Sequence, residues 1–176
     1  MADLHPDNPY APERFANLGK PVEFPPEAKQ RFDYIVSRYP TREAALLPTL
    51  HLAQEVWGWI SPEAVHYVGS LLDLSPATVF GVVSFYNMYN QKPVGKYHLQ
   101  VCTNLSCMVR RAYDIYDHLC EKLDVNPGAT TKDGRYTVVE VECLGSCGTA
   151  PVVQVNNDYH ENMNVEKMDG LLSQLK

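Results

Sequence analysis

The sequence predicts an α+β chain: a helical N-terminal part followed by a smaller sheet flanked by helices. Two observations carry this expectation. Between residues 27 and 90, apolar side chains recur at helical spacing and two Ser-Pro dipeptides mark helix starts, whereas from residue 96 onward alternating segments break that pattern. A third observation locates the chemistry. Four of the five cysteines form two tight pairs, Cys102 with Cys107 and Cys143 with Cys147, each just after an alternating segment.

A chain of 176 residues with 45% hydrophobic content can form one ordinary domain or two small ones. The expected organisation is an extended arm over 1–26, a helical domain over 27–90, a linker over 91–95 and a second domain over 96–176. The arm holds six of the 13 prolines and shows no periodicity. In the helical domain the first helix, 27–38, lines up Ala28, Phe32, Ile35 and Val36, and Pro40 stops it. A second, 41–57, starts at Thr41 as N-cap, with Pro48 forcing a kink or a late start. Ser61-Pro62 and Ser75-Pro76 each combine a capping hydroxyl with a proline suited to the first helical position. The helices they open carry Val65, Val68 and Leu72, and Val79, Val82 and Val83. Together these four helices suggest a bundle, and the aromatic run Phe85 to Tyr89 is read as part of its core.

In the second domain a strand over 97–101 delivers Cys102, and Ser106 is expected to cap a helix over 106–123 whose first turn holds Cys107. A helix N-terminus there favours the thiolate form. A strand over 135–142 sets Val139 and Val141 opposite Glu140 and Glu142 and leads into the second cysteine loop. A strand over 151–155, a turn at Asn156-Asn157, a return over 158–163 and a helix over 165–175 complete the expected order.

The cysteines spell C-x4-C, 35 intervening residues, then C-x3-C. Four thiolates suit an iron-sulfur cluster or a closed zinc site, and spacing alone leaves both open. A catalytic dithiol fits less well, because neither pair is C-x-x-C. Cys120 reads as a packed side chain, and the six scattered histidines, His98 included, read as structural. An odd cysteine count with two tight pairs points to a reducing cytoplasm rather than a disulfide framework. The net charge of −6 excludes a basic nucleic-acid footprint, and no apolar run approaches the roughly 18 residues of a membrane span. Neither G-x-G-x-x-G nor G-x-x-x-x-G-K-[ST] supplies a nucleotide loop.

Three stretches, GVVSFY at 81–86, GKYHLQVCTNLSC at 95–107 and VECLGSCGTAP at 141–151, closely resemble the small 2Fe-2S subunit of NADH:quinone oxidoreductase (respiratory complex I). Relatives of that family occur in NAD-linked hydrogenases and formate dehydrogenases. The resemblance spans about 30–172. It implies a thioredoxin-like second domain, a cis bond at Ala150-Pro151, and a 2Fe-2S cluster on Cys102, Cys107, Cys143 and Cys147. It also implies electron transfer with a flavin-bearing, NADH-oxidising partner subunit that holds the FMN. The expected setting is a larger respiratory complex, cytoplasmic and peripheral to the inner membrane, with no membrane insertion of this chain. The equivalent hydrogenase or formate dehydrogenase subunit is the alternative within the family, and a zinc-stapled interaction module is the alternative outside it.

Overall fold

The computed structural model describes residues 22–175. The chain divides between Pro93 and Val94 into two compact units. Most of the expected arm, residues 1–21, lies outside the described residues. Its last part is not a free extension: Phe24 is buried, stacks on Trp57 at a ring separation of 5.0 Å and meets Tyr67 edge-on. Its backbone N–H donates to the Tyr67 hydroxyl. The proline count hid a single aromatic anchor.

The first unit consists of α1 (Pro26–Ser37), α2 (Leu46–Trp57), α3 (Pro62–Leu72) and α4 (Pro76–Phe85). Ser61 and Ser75 cap as expected, accepting from the backbone N–H groups of Ala64 and Thr78. Proline opens α1, α3 and α4 because a first-turn residue has no helical partner for its missing N–H. Pro48 produces the late start: Thr41 accepts from the Ala44 N–H and a 3-10 turn over Glu43–Ala45 precedes α2. Phe32, Leu50, Leu52, Ile60, Val65, Val68, Val79 and Val83 lie in the unit's core. The core reading of residues 85–89 fails for most of that run. At Tyr86 the chain leaves the helix with φ −94° and ψ 116°, so helical spacing no longer governs it. Phe85 is 79% exposed and Tyr86 and Met88 are exposed, while Tyr89 alone is buried at 2% and donates to the Leu47 carbonyl.

The second unit runs β1 (Tyr97–Cys102), α5 (Leu105–Val109), α6 (Ala112–Lys122), β2 (Tyr136–Val141), β3 (Val153–Val155), β4 (Asp158–His160) and α7 (Val165–Gln174). The sheet order is β2-β1-β3-β4. β1 and β2 are parallel, with Tyr97 opposite Tyr136 and Cys102 opposite Val141, and the other pairings are antiparallel. Gly95 is required where the chain enters β1, since a Cβ there would stand 2.9 Å from the Arg135 backbone. Leu99, Val101, Ile115, Leu119, Val138, Val153 and Met168 are fully buried in one core. On β2 the buried side chains are Tyr136, Thr137 and Val138, and Val139 and Val141 are only half-buried. The Ala150–Pro151 bond is cis, as the resemblance implies.

The expected helix over 106–123 is two helices. Asn104, with φ −70° and ψ 169°, is the cap of α5 and accepts from the Leu105 N–H. Arg111 adopts a left-handed φ of 70°, which breaks the helix and restarts it as α6. The break lets Cys107 and the Ala112, Ile115, Leu119 stripe both face one core, which a continuous helical repeat from 106 does not arrange.

Candidate metal centre

Parallel pairing of β1 and β2 is what brings two cysteine pairs 35 residues apart in sequence to one place. Cys102 ends β1 directly beside Val141, and the ladder continues through Thr103 N–H to the Val141 carbonyl, so both following loops leave the same edge of the sheet. Two side-chain ties join the loops. Asn104 Nδ2 donates to Glu142 Oε2 at 2.8 Å, and the Thr103 hydroxyl donates to Glu140 Oε2 at 3.3 Å.

Cys102 and Cys107 are each 3% exposed and belong to the second unit's core, whereas Cys143 and Cys147 are exposed. Gly145 takes φ +81° between the latter two and turns its N–H onto Cys143 Sγ at 3.4 Å. Cys143 Sγ and Cys147 Sγ stand 3.5 Å apart. Ser106, expected as a helix cap, instead sets its hydroxyl against the Cys147 sulfur, a contact that works to lower the pKa of that thiol. Among the described residues no three His, Cys, Asp or Glu side chains are placed to hold a single metal ion.

Burial, then the hydrogen bond with Cys102, pushes the Cys107 thiol up to about 11, with the Val152 backbone N–H opposing the shift. The expected lowering by a helix N-terminus is therefore reversed. A five-residue helix carries a small dipole, and removing the sulfur from water outweighs it. Cys147 is raised on balance, first by its hydrogen bond with Cys143. In this state Cys107 and Cys147 favour their protons, and a cation that displaces thiol protons would find soft sulfur donors with N–H groups already aimed at sulfur. The donor set fits an iron-sulfur group. Cys120 stands apart on α6, packed against the core beside Tyr116, and His98 on β1 is half-buried with its pKa lowered by burial.

A family model described as thioredoxin-like 2Fe-2S ferredoxin matches residues 32–176. The chain belongs to that family. The cofactor of the family is the 2Fe-2S cluster, and the second unit, with its sheet and flanking helices, is the thioredoxin-like part of the fold. A curated relative from Thermus thermophilus, "NADH-quinone oxidoreductase subunit 2", is 45% identical over 143 residues, which cover 80% of this chain and 79% of that one. A relative from Rickettsia bellii, likewise named for a subunit of NADH-quinone oxidoreductase, is 41% identical over 145 residues, covering 81% and 87%. Among solved structures, a chain of an NAD+-reducing NiFe-hydrogenase matches with a TM-score of 0.64 at 23% identity. That match covers 74% of this chain but only 22% of the hydrogenase chain, and it speaks to fold alone.

Sequence reading did not find the polar groups that fix the two loops. Asn104, Glu142, Ser106 and Glu161 act through contacts between segments far apart in sequence. For Asn104, Ser106 and Glu142 a polar side chain beside a cysteine was the only available signal, and such residues are common on any surface, while Glu161 had none.

Proposed function

We propose that this chain is an electron-transfer subunit in which Cys102, Cys107, Cys143 and Cys147 hold one 2Fe-2S cluster. The observation that carries this is the delivery of both cysteine pairs to one sheet edge by the parallel β1/β2 register. Each iron of such a cluster takes two protein thiolates, which matches two pairs better than one four-fold cage. When bound, the group supplies one-electron transfer, so a hydride donor has to be handled on another chain. The residues of this chain orient and shield. β1 and α5 bury Cys102 and Cys107 on the core side, and the Gly145 and Val152 N–H groups donate toward sulfur. The exposed Cys143 and Cys147 leave the other side open for exchange with a partner.

We infer that the partner is a flavin-bearing, NADH-oxidising subunit of an NADH:quinone oxidoreductase, and that this chain catalyses no turnover alone. Identity of 41–45% to relatives bearing that enzyme's name supports this, as does the lack of a nucleotide loop in the sequence. Among the described residues no helix is long and apolar enough to cross a membrane. A cytoplasmic position, attached to the inner membrane only through the complex, follows from the assignment.

The test is the chain purified with iron and sulfide, and then with the flavin subunit added. About two iron and two sulfide per chain are expected, bleached by dithionite and, only with the flavin subunit present, by NADH. One zinc without sulfide would end the cluster reading. Bleaching by NADH in this chain alone would overturn the division of roles.

A further inference from the structure

The loop bearing Cys143 and Cys147 is gripped from outside by the segment around β4. The Tyr159 hydroxyl donates to the Leu144 carbonyl at 2.8 Å, and Asn162 N–H donates to the Thr149 carbonyl at 2.7 Å. Between them, Glu161 Oε1 accepts from Thr149 Oγ1 at 2.6 Å and from the Ser146 hydroxyl. Ser146 immediately precedes Cys147, and Thr149 closes the 3-10 turn Cys147–Thr149. A single carboxylate oxygen thus binds both residues that bracket the second sulfur. No lysine or arginine is ion-paired with Glu161 among the described residues, and the nearby Lys167 ammonium is engaged with the Asn162 carbonyl. The role of this group is left over once the cysteines and the loop-joining pairs are accounted for.

We infer that Glu161 is a positioning residue of the cysteine centre: it clamps the Cys147 turn to the β3–β4 hairpin and sets a fixed negative charge beside it. The inference rests on the proposed ligand role of the four cysteines. Two consequences are separable. The clamp limits opening of the exposed loop, because Ser146 and Thr149 must both release the carboxylate before Cys147 can swing away. The charge opposes the arrival of an electron at a centre that is already anionic, because two negative charges near a protein surface repel through a modest effective dielectric. Glu161 therefore holds the reduction potential down.

Glu161→Gln keeps an oxygen that accepts both hydroxyls and removes the charge, whereas Glu161→Ala removes both. The full chain and the two variants are loaded with iron and sulfide, titrated with dithionite in the presence of redox dyes, and challenged with an iron chelator. Both variants are expected to show a higher midpoint potential than the parent. Only Glu161→Ala is expected to bleach faster in chelator, on the order of tenfold, the ratio corresponding to loss of the two hydroxyl hydrogen bonds that Glu161→Gln keeps. A filled Glu161→Gln with the parent potential overturns the charge role, and a filled Glu161→Ala with the parent bleaching rate overturns the clamp. If Glu161→Ala takes up no cluster while Glu161→Gln fills, the clamp is supported in its strongest form. A parent chain that takes up no iron and sulfide defeats the underlying reading as well, which separates that failure from this one.

Discussion

The two cysteine pairs leave neighbouring strands of one sheet, yet they are held by different forces. The first loop runs at once into α5, so Cys102 and Cys107 are buried among Leu99, Val101 and Ile115 and are fixed by apolar packing. The second loop stays irregular and exposed, and its support is polar: the Gly145 turn, the Tyr159 and Glu161 side chains and the Asn104–Glu142 tie. Apolar burial is non-directional and sums over many contacts, whereas each exposed hydrogen bond contributes little net free energy but fixes a direction. A centre that must be rigid and still reachable can use one kind of support on each side.

The largest expected effects come from the sulfurs themselves. Alanine at Cys102, Cys107, Cys143 or Cys147 is expected to abolish or badly disturb the visible spectrum, because three thiolates leave one iron short of a ligand. Cys120→Ala is expected to leave the spectrum unchanged. In the cluster-free protein the comparison becomes a rate difference, with iodoacetamide labelling Cys143 and Cys147 well before Cys102 and Cys107. Peptide mass spectrometry reads this out, and uniform labelling of all four would mean that the burial contrast does not exist in solution.

Next comes the packing that supports the first loop. Leu99 is fully buried at the centre of β1, and Leu99→Ala is expected to cost about 2–5 kcal/mol of second-unit stability in denaturant unfolding. Gly145→Ala probes the second loop. A Cβ there meets nothing within 4 Å, so the cost comes only from φ +81° and amounts to about 1–2 kcal/mol. Chelator challenge is expected to show faster bleaching for Gly145→Ala, and an unchanged rate would mean that the loop tolerates a different backbone path.

The parts of this molecule that were legible in sequence are those whose cause is local. Ser61 and Ser75 cap where a hydroxyl precedes proline, the strands end on Cys102 and near Cys143, and the Asn156 turn is where its residues require it. What was misread depends on tertiary context. Arg111 accepts a left-handed conformation that few arginines adopt, because the core needs the chain to change direction there. Phe85 falls on the exposed side of the last turn of α4, and Tyr86 continues the apolar pattern into a segment that is no longer helical. That the two cysteine pairs act together was expected from their spacing and the strand before each pair as well as from the resemblance, while the parallel register of β1 with β2, which sends both loops from one sheet edge, emerged only with the sheet. Glu161 lies 14 residues beyond Cys147 in sequence, and nothing in composition or spacing links it to the cysteine loop.

The smallest expected effect tests whether exposed polar ties matter away from that loop. Asp169 on α7 accepts from Lys122 Nζ and pairs with His118 Nε2 on α6, both at 2.7 Å. The Lys122 contact, then His118, holds the Asp169 carboxyl below its ordinary value of 3.8, so the folded state prefers the charged form. A depressed carboxylate stabilises the fold above its unfolded pKa and loses that contribution as the pH falls through the lower folded value. Asp169→Asn is therefore expected to lower stability slightly at neutral pH, with the difference from the parent shrinking below about pH 4. Added salt is expected to narrow the neutral-pH difference, because both partners are partly solvated and a Debye length of about 8 Å at physiological ionic strength screens them. Parallel urea titrations at neutral and acidic pH, about 7 and about 3, measure it. A difference that grows toward the acidic end would show that Asp169 is not stabilised by its cations, and would confine the contribution of exposed polar ties to the cysteine loop.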